Sequence, residues 1–222
     1  MGERIEFEVG DGSCAGYLAQ GGDGKAGVVV MQEWWGLVPH IEDVTDRIAA
    51  EGYTALAPDF YHGKSTLEAE EAQHLMEGLD WGRAIQEIQA AVRHLRELGC
   101  KKVGVTGFCM GGALACLGAA VGDSDAAVAF YGFPPPPNPM DRKCPPTKIL
   151  FGSDEGFFDV PAAQAWAAKQ RSEHGVADTE VKVYEGAGHA FFNDTRPDAY
   201  HAASAKDAWE LTKSHFAKHL KG

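Results

Sequence analysis

Positive charge is in short supply. The 222 residues carry 20 Lys and Arg against 32 Asp and Glu, a formal charge of −12. Such a surface repels phosphate backbones and anionic lipid, which argues against nucleic acid and membranes as partners. Long apolar runs are also missing, so no segment is expected to span a bilayer. The start, Met1-Gly2-Glu3-Arg4-Ile5-Glu6, has no basic stretch leading into an apolar core, and Glu6 stands where N-myristoylation needs Ser or Thr. Cysteine is sparse: Cys14, Cys100, Cys109, Cys116 and Cys144 are odd in number and lack the paired spacing of metal sites or a disulfide framework. The expectation is a cytoplasmic protein with free thiols and no metal. Internal repeats and interdomain linkers are absent too, so residues 1–222 read as one domain.

What is present alternates between β-rich and helical patterns. Ile5–Val9 and Gly16–Ala19 read as a hairpin around Gly10-Asp11-Gly12. Val28–Met31, Thr54–Ala57, Val103–Thr106, Ala126–Phe130, Thr147–Phe151 and Val181–Tyr184 read as later strands. Helices are expected over 40–50, 67–79, 81–98, 113–120, 161–173 and 199–220. In the third helical stretch counted from 81, Ile85, Ile88, Val92, Leu95 and Leu98 recur on one face. Alternating strands and helices predict an α/β fold: a mostly parallel sheet with helices on both faces. The Pro134-Pro135-Pro136-Pro137-Asn138-Pro139 run reads as a stiff connector within it.

Three segments carry chemistry. Gly107-Phe108-Cys109-Met110-Gly111-Gly112 follows a β-branched run and opens a small-residue helix. That is the pattern of a nucleophile elbow, with Cys where Ser usually stands. A thiol near a helix N-terminus is favoured as thiolate; a buried structural cysteine is the plainer alternative. Gly186-Ala187-Gly188-His189 carries a histidine to a strand end, where α/β sites lie. The other eight histidines fall mostly in polar stretches and read as solvated. The loop after the preceding strand offers Asp154, Glu155 and Asp159 to orient the imidazole, and composition does not choose among them; any of the three could be solvated or cap the next helix. The third segment, Gln32-Glu33-Trp34-Trp35-Gly36, stands where an oxyanion-hole N–H arises; Trp34 and Met110 are the assigned donors. Glu33 is either part of the site or a surface carboxylate.

Together, Gln32-Glu33-x-x-Gly36, Pro58-Asp59-Phe60-Tyr61, Gly107-Phe108-Cys109-Met110-Gly111-Gly112 and Gly186-Ala187-Gly188-His189-Ala190-Phe191 resemble the dienelactone hydrolase family, in order along nearly the whole chain. The resemblance implies a single α/β-hydrolase domain with a triad of Cys109, His189 and a loop acid, working without metal or organic cofactor. The family's acid is an Asp three residues after a glycine. Counting from Gly152 gives Glu155; Asp154 is the alternative, at a one-residue shift. The resemblance also makes Glu33 a partner of the resting thiol. Dienelactone-cleaving members carry an arginine four residues after the histidine, where this chain has Asn193, and Leu67-Glu68-Ala69-Glu70-Glu71-Ala72 is acidic where another arginine is expected. A dicarboxylate is thus a poor substrate here. Trp34, Trp35, Phe157, Phe158, Phe191 and Phe192 are candidates for an apolar acyl pocket. The expectation is a lactone or ester hydrolase acting on a small molecule, as a monomer or small homo-oligomer. A thioesterase or acyl transferase with the same triad, or a thiol-sensing or ligand-binding protein on this fold, remains open.

Overall fold

A computed structural model describes residues 1–222. One sheet is built from β1 (Glu3–Val9), β2 (Gly12–Gln20), β3 (Ala26–Met31), β4 (Thr54–Pro58), β5 (Lys102–Phe108), β6 (Ala126–Phe130), β7 (Thr147–Asp154) and β8 (Glu180–Gly188). The helices are α1 (Pro39–Ala50), α2 (Ala69–Glu77), α3 (Trp81–Glu97), α4 (Met110–Val121), α5 (Val160–Ser172) and α6 (Ala202–Leu220). The strands lie in the order β1-β2-β4-β3-β5-β6-β7-β8. β2 pairs antiparallel with β1 and β4, and the remaining neighbours are parallel.

The central strands are apolar because both faces are covered. All six residues of β3 are buried. Two glycines mark the two sides. Gly27 faces α3: a Cβ there would meet Leu95 and Cys100. Gly104 pairs with Val28, one residue along, and so faces the other way, where a Cβ would meet Phe216 and Leu220 of α6. No helix is long and apolar enough to cross a membrane.

Three helices depart from expectation by two residues or more: α4 begins at Met110 rather than 113, directly at the end of the preceding turn. α2 is shorter than 67–79: Leu67 stays exposed ahead of it, and Gly78 closes it. α6 begins at Ala202, because the stretch before it turns back on itself, with His201 N–H donating to the Phe191 carbonyl at 2.9 Å. The proline run is a loop, pinned by Asn138, whose side-chain amide donates to the Pro134 carbonyl at 3.0 Å.

The parallel register puts the C-terminal ends of β3, β5, β6, β7 and β8 at one edge. Cys109, Tyr131, Glu155 and His189 follow directly from those ends, and Glu33 is the second residue after β3.

Candidate active site

The chain turns sharply at Cys109, where β5 becomes α4. Its backbone sits at φ 56° and ψ −117°, a region costly for any residue with a side chain. Neighbours hold it there. Cys109 N–H donates to the Phe130 carbonyl at 3.0 Å, and the Cys109 carbonyl accepts from Gly112 and Ala113 at 2.9 and 3.2 Å. Glycine is obligatory on both sides. A Cβ on Gly107 would lie 2.0 Å from the Gly111 carbonyl oxygen, and one on Gly111 would lie 2.4 Å from the carbonyl oxygens of Met31 and Gln32. The elbow is therefore wedged against the end of β3, which carries Glu33 and Trp34.

Burial pushes the Cys109 thiol well above its usual range, and the Glu33 and Glu155 carboxylates add to the rise. The backbone N–H groups of Met110 and Trp34 oppose it, because both lie close enough to the sulfur to favour its anion. These are the two donors expected to serve an oxyanion.

His189 is held by one carboxylate. Its Nδ1 lies 2.9 Å and 3.1 Å from the two oxygens of Glu155. Only 1% of the Glu155 side chain is exposed, and one of its oxygens also accepts the Phe157 N–H at 2.8 Å. Asp154 points elsewhere: it is exposed and accepts from the Ser153 hydroxyl at 3.3 Å. The β7–β8 ladder explains the difference. Gly152 pairs with Tyr184 but Asp154 with Gly188, so the register slips between them. Asp154 ends the strand, and Glu155 is the first residue free to turn toward the imidazole. Asp159 caps α5, accepting the Ala162 N–H at 2.9 Å. No hydrogen bond joins the Cys109 sulfur to His189 in this conformation.

Glu33 is not a surface carboxylate; it is 1% exposed. Both its oxygens are occupied. The Tyr131 hydroxyl donates to one at 3.1 Å, and the Asn193 amide donates to the other at 2.8 Å. Asn193 is itself oriented, its side-chain oxygen accepting from the Thr195 N–H and hydroxyl at 3.1 and 2.6 Å. So Asn193 clamps Glu33 rather than lining an open pocket. Tyr131 is a functional candidate that the sequence reading missed. It is fully buried, at φ 38°, immediately after β6. Its position at a strand end beside the nucleophile strand was the available signal.

The aromatic candidates divide. Phe157 is 76% exposed, with its ring 4.7 Å from the His189 ring; half-buried Phe158 stacks at 5.9 Å. Both flank the imidazole; Trp34 is half-buried, and its backbone N–H lies beside the thiol. Trp35, Phe191 and Phe192 are buried and belong to the core. Phe191 packs on Tyr131 and Tyr184, Phe192 on Phe108 and Phe130, and Trp35 against Trp34 and the Arg196 guanidinium. A double-Phe step places both rings inward here because the chain coils after His189 instead of running extended. Two histidines read as solvated are in fact buried, His40 and His215. His40 has no hydrogen-bond partner at either nitrogen; burial lowers its pKa, with Glu33 and Asp194 opposing.

Comparisons with known proteins agree on the family and the fold. Residues 14–220 match the model of the dienelactone hydrolase family. The chain is 39% identical to the protein usf of Aquifex pyrophilus, over 99% of this chain and all of that one. It is 37% identical, over the full length of both, to an Aquifex aeolicus protein provisionally named a carboxymethylenebutenolidase. Among solved structures, one from Klebsiella pneumoniae, provisionally described as a dienelactone hydrolase, superposes with a TM-score of 0.82 at 26% identity, covering 99% of each chain. The dienelactone hydrolase-like promiscuous phosphotriesterase P91, from metagenomic libraries, shares the fold with a TM-score of 0.81 at 22% identity, covering 99% of this chain and 98% of its own. By sequence match over nearly its whole length, the chain belongs to the dienelactone hydrolase family, whose members are lactone and ester hydrolases.

Proposed function

We propose that the protein hydrolyses a lactone or carboxylic ester through an acyl-enzyme on Cys109. The observation that carries this is the alignment at one sheet edge of a strained, glycine-wedged cysteine and a histidine held by a buried carboxylate. As Sγ attacks the carbonyl carbon, His189 Nε2 takes the thiol proton, and Glu155 fixes the Nδ1–H tautomer and stabilises the imidazolium. The carbonyl oxygen becomes an oxyanion facing the Trp34 and Met110 N–H groups. The C–O bond then breaks, and His189 returns its proton to the leaving oxygen, which stays tethered if the substrate was a lactone. Water, deprotonated by His189, releases the acid and regenerates the thiol.

Burial holds the resting thiol in its protonated form, and so does like-charge repulsion from Glu33. Two hydrogen bonds keep Glu33 in place, so thiolate forms only as His189 accepts the proton. With Asn193 in the arginine position and a carboxylate behind the sulfur, the reading favours an uncharged acyl group, small enough to fit beside Trp34, Phe157 and Phe158.

The test is a screen of lactones and short esters, run on the wild type and on Cys109→Ala. Turnover by wild type, an acyl adduct on Cys109 by mass spectrometry and loss of both in the variant are the expected results. Hydrolysis that persists in Cys109→Ala would overturn the mechanism.

A further inference from the structure

The opposite edge of the sheet carries an arrangement that the chemistry above does not use. His215 and His219 are one turn apart on α6 and point the same way. Asp178 faces them from the loop before β8. One nitrogen of each histidine and one Asp178 oxygen all lie within 4.8 Å of one another. The His219 Nε2 is 2.6 Å from Asp178 Oδ2, and the His215 Nδ1 is 3.9 Å from the same oxygen.

His215 is the telling residue. Its side chain is 1% exposed, and its Nδ1 has no hydrogen-bond partner. Its other nitrogen, Nε2, donates to the Pro146 carbonyl at 3.1 Å. That bond fixes the tautomer, leaving a bare Nδ1 lone pair aimed into the cluster. A buried lone pair without a donor is costly. A backbone carbonyl on the remote N–H is the usual outer support of a metal-bound histidine.

We propose that His215 Nδ1, His219 Nε2 and Asp178 Oδ2 form a binding site for a borderline divalent cation of the zinc class. Two imidazoles and a carboxylate are a recognised donor set for such an ion, with solvent as fourth ligand. On binding, the proton now on His219 Nε2 moves through solvent to Nδ1. Lys218, which donates to Asp178 Oδ2 at 2.8 Å, has to leave; it is 65% exposed and free to swing out. Lys148 stays on Asp178 Oδ1 at 2.7 Å, orienting the carboxylate, and its own charge is answered by Glu180 at 2.8 Å. The ion would tie the end of α6 to the loop entering β8, far from Cys109.

The experiment is calorimetric titration of Zn(II) into the untagged full chain, with Co(II) absorption as a second readout. Four proteins are compared: wild type, Cys109→Ser, His219→Ala and Asp178→Asn. The expected result is one ion per chain in wild type and Cys109→Ser, a nitrogen- and oxygen-type Co(II) spectrum, and at least a tenfold loss of affinity in the other two. Thermal denaturation should show a Zn(II)-dependent rise in Tm that His219→Ala removes while its ester turnover stays unchanged. Absence of binding to wild type would overturn the proposal. So would binding that vanishes in Cys109→Ser, with a sulfur charge-transfer band, yet survives in His219→Ala.

Discussion

Glu155→Gln is the most discriminating substitution in the active site. Glutamine has nearly the same shape, and its amide oxygen can keep accepting the Phe157 N–H now bonded to Glu155 at 2.8 Å. The other end, however, presents an NH2 to His189 Nδ1, where a carboxylate oxygen sits at 2.9 Å. An Nδ1–H would face that NH2 and keep only the more distant, shared oxygen at 3.1 Å, so the balance moves toward the tautomer with its proton on Nε2. In that tautomer Nε2 has no lone pair with which to take the Cys109 proton. The stabilisation of the imidazolium is lost as well. With charge centres roughly 4 Å apart and an effective dielectric near 20, that interaction is worth about 4 kcal/mol in the transition state. At about 1.4 kcal/mol per decade, the prediction is a loss of about a thousandfold in kcat. KM should change little, because Glu155 lies behind the imidazole. The assay is steady-state hydrolysis of a nitrophenyl ester, with Tm measured in parallel to confirm folding. Asp154→Asn is the matched control and should stay within about twofold of wild type. Retention of more than a tenth of kcat in a folded Glu155→Gln protein would refute the role given to this residue.

Glu33→Gln should lower the thiol pKa, since a like charge beside the sulfur is removed; iodoacetamide labelling of Cys109 should shift to lower pH and run about tenfold faster at pH 7. An unchanged labelling profile would dispose of the repulsion argument. Gly107→Ala would drive a Cβ into the Gly111 carbonyl oxygen at 2.0 Å, so soluble yield and Tm should collapse together or, if the chain folds, turnover should fall by at least a hundredfold as the elbow shifts. Phe157→Ala removes an exposed ring beside His189 and should raise KM several-fold for bulky acyl groups while sparing Tm. Burial pushes the His215 pKa down to about 4 in the native protein, against about 6.5 unfolded, so the unfolded chain takes up the proton first. Stability in metal-free buffer is therefore fully present above pH 6.5 and declines toward pH 4, by roughly 3 kcal/mol. Denaturant unfolding at several pH values should show the decline, and His215→Gln should flatten it.

The fold was legible because its central strands are apolar on both faces while its helices keep a three- and four-residue period. The elbow was legible for a related reason: Gly107 and Gly111 answer to steric contacts so close that only glycine survives. The choice between Asp154 and Glu155 was not, since it turns on a two-residue slip between β7 and β8 that no local pattern encodes. Nor was the clamp on Glu33, where Tyr131 and Asn193 approach from segments 98 and 160 residues away in sequence. The aromatic pairs misled in part. Exposed Phe157 and buried Phe191 carry the same side chain, and only the coil of the chain after each strand tells them apart.

The Asn193 amide, 2.8 Å from Glu33, joins two properties usually treated as separate traits. An arginine at this position would offer a substrate carboxylate a cationic anchor, but it would also neutralise Glu33 and so release the thiol from its restraint. Preference for anionic substrates and readiness of the nucleophile would then change in one step. Along a lineage, a drift from dicarboxylates to uncharged esters and a quieter resting cysteine would be inherited together, as two faces of a single codon.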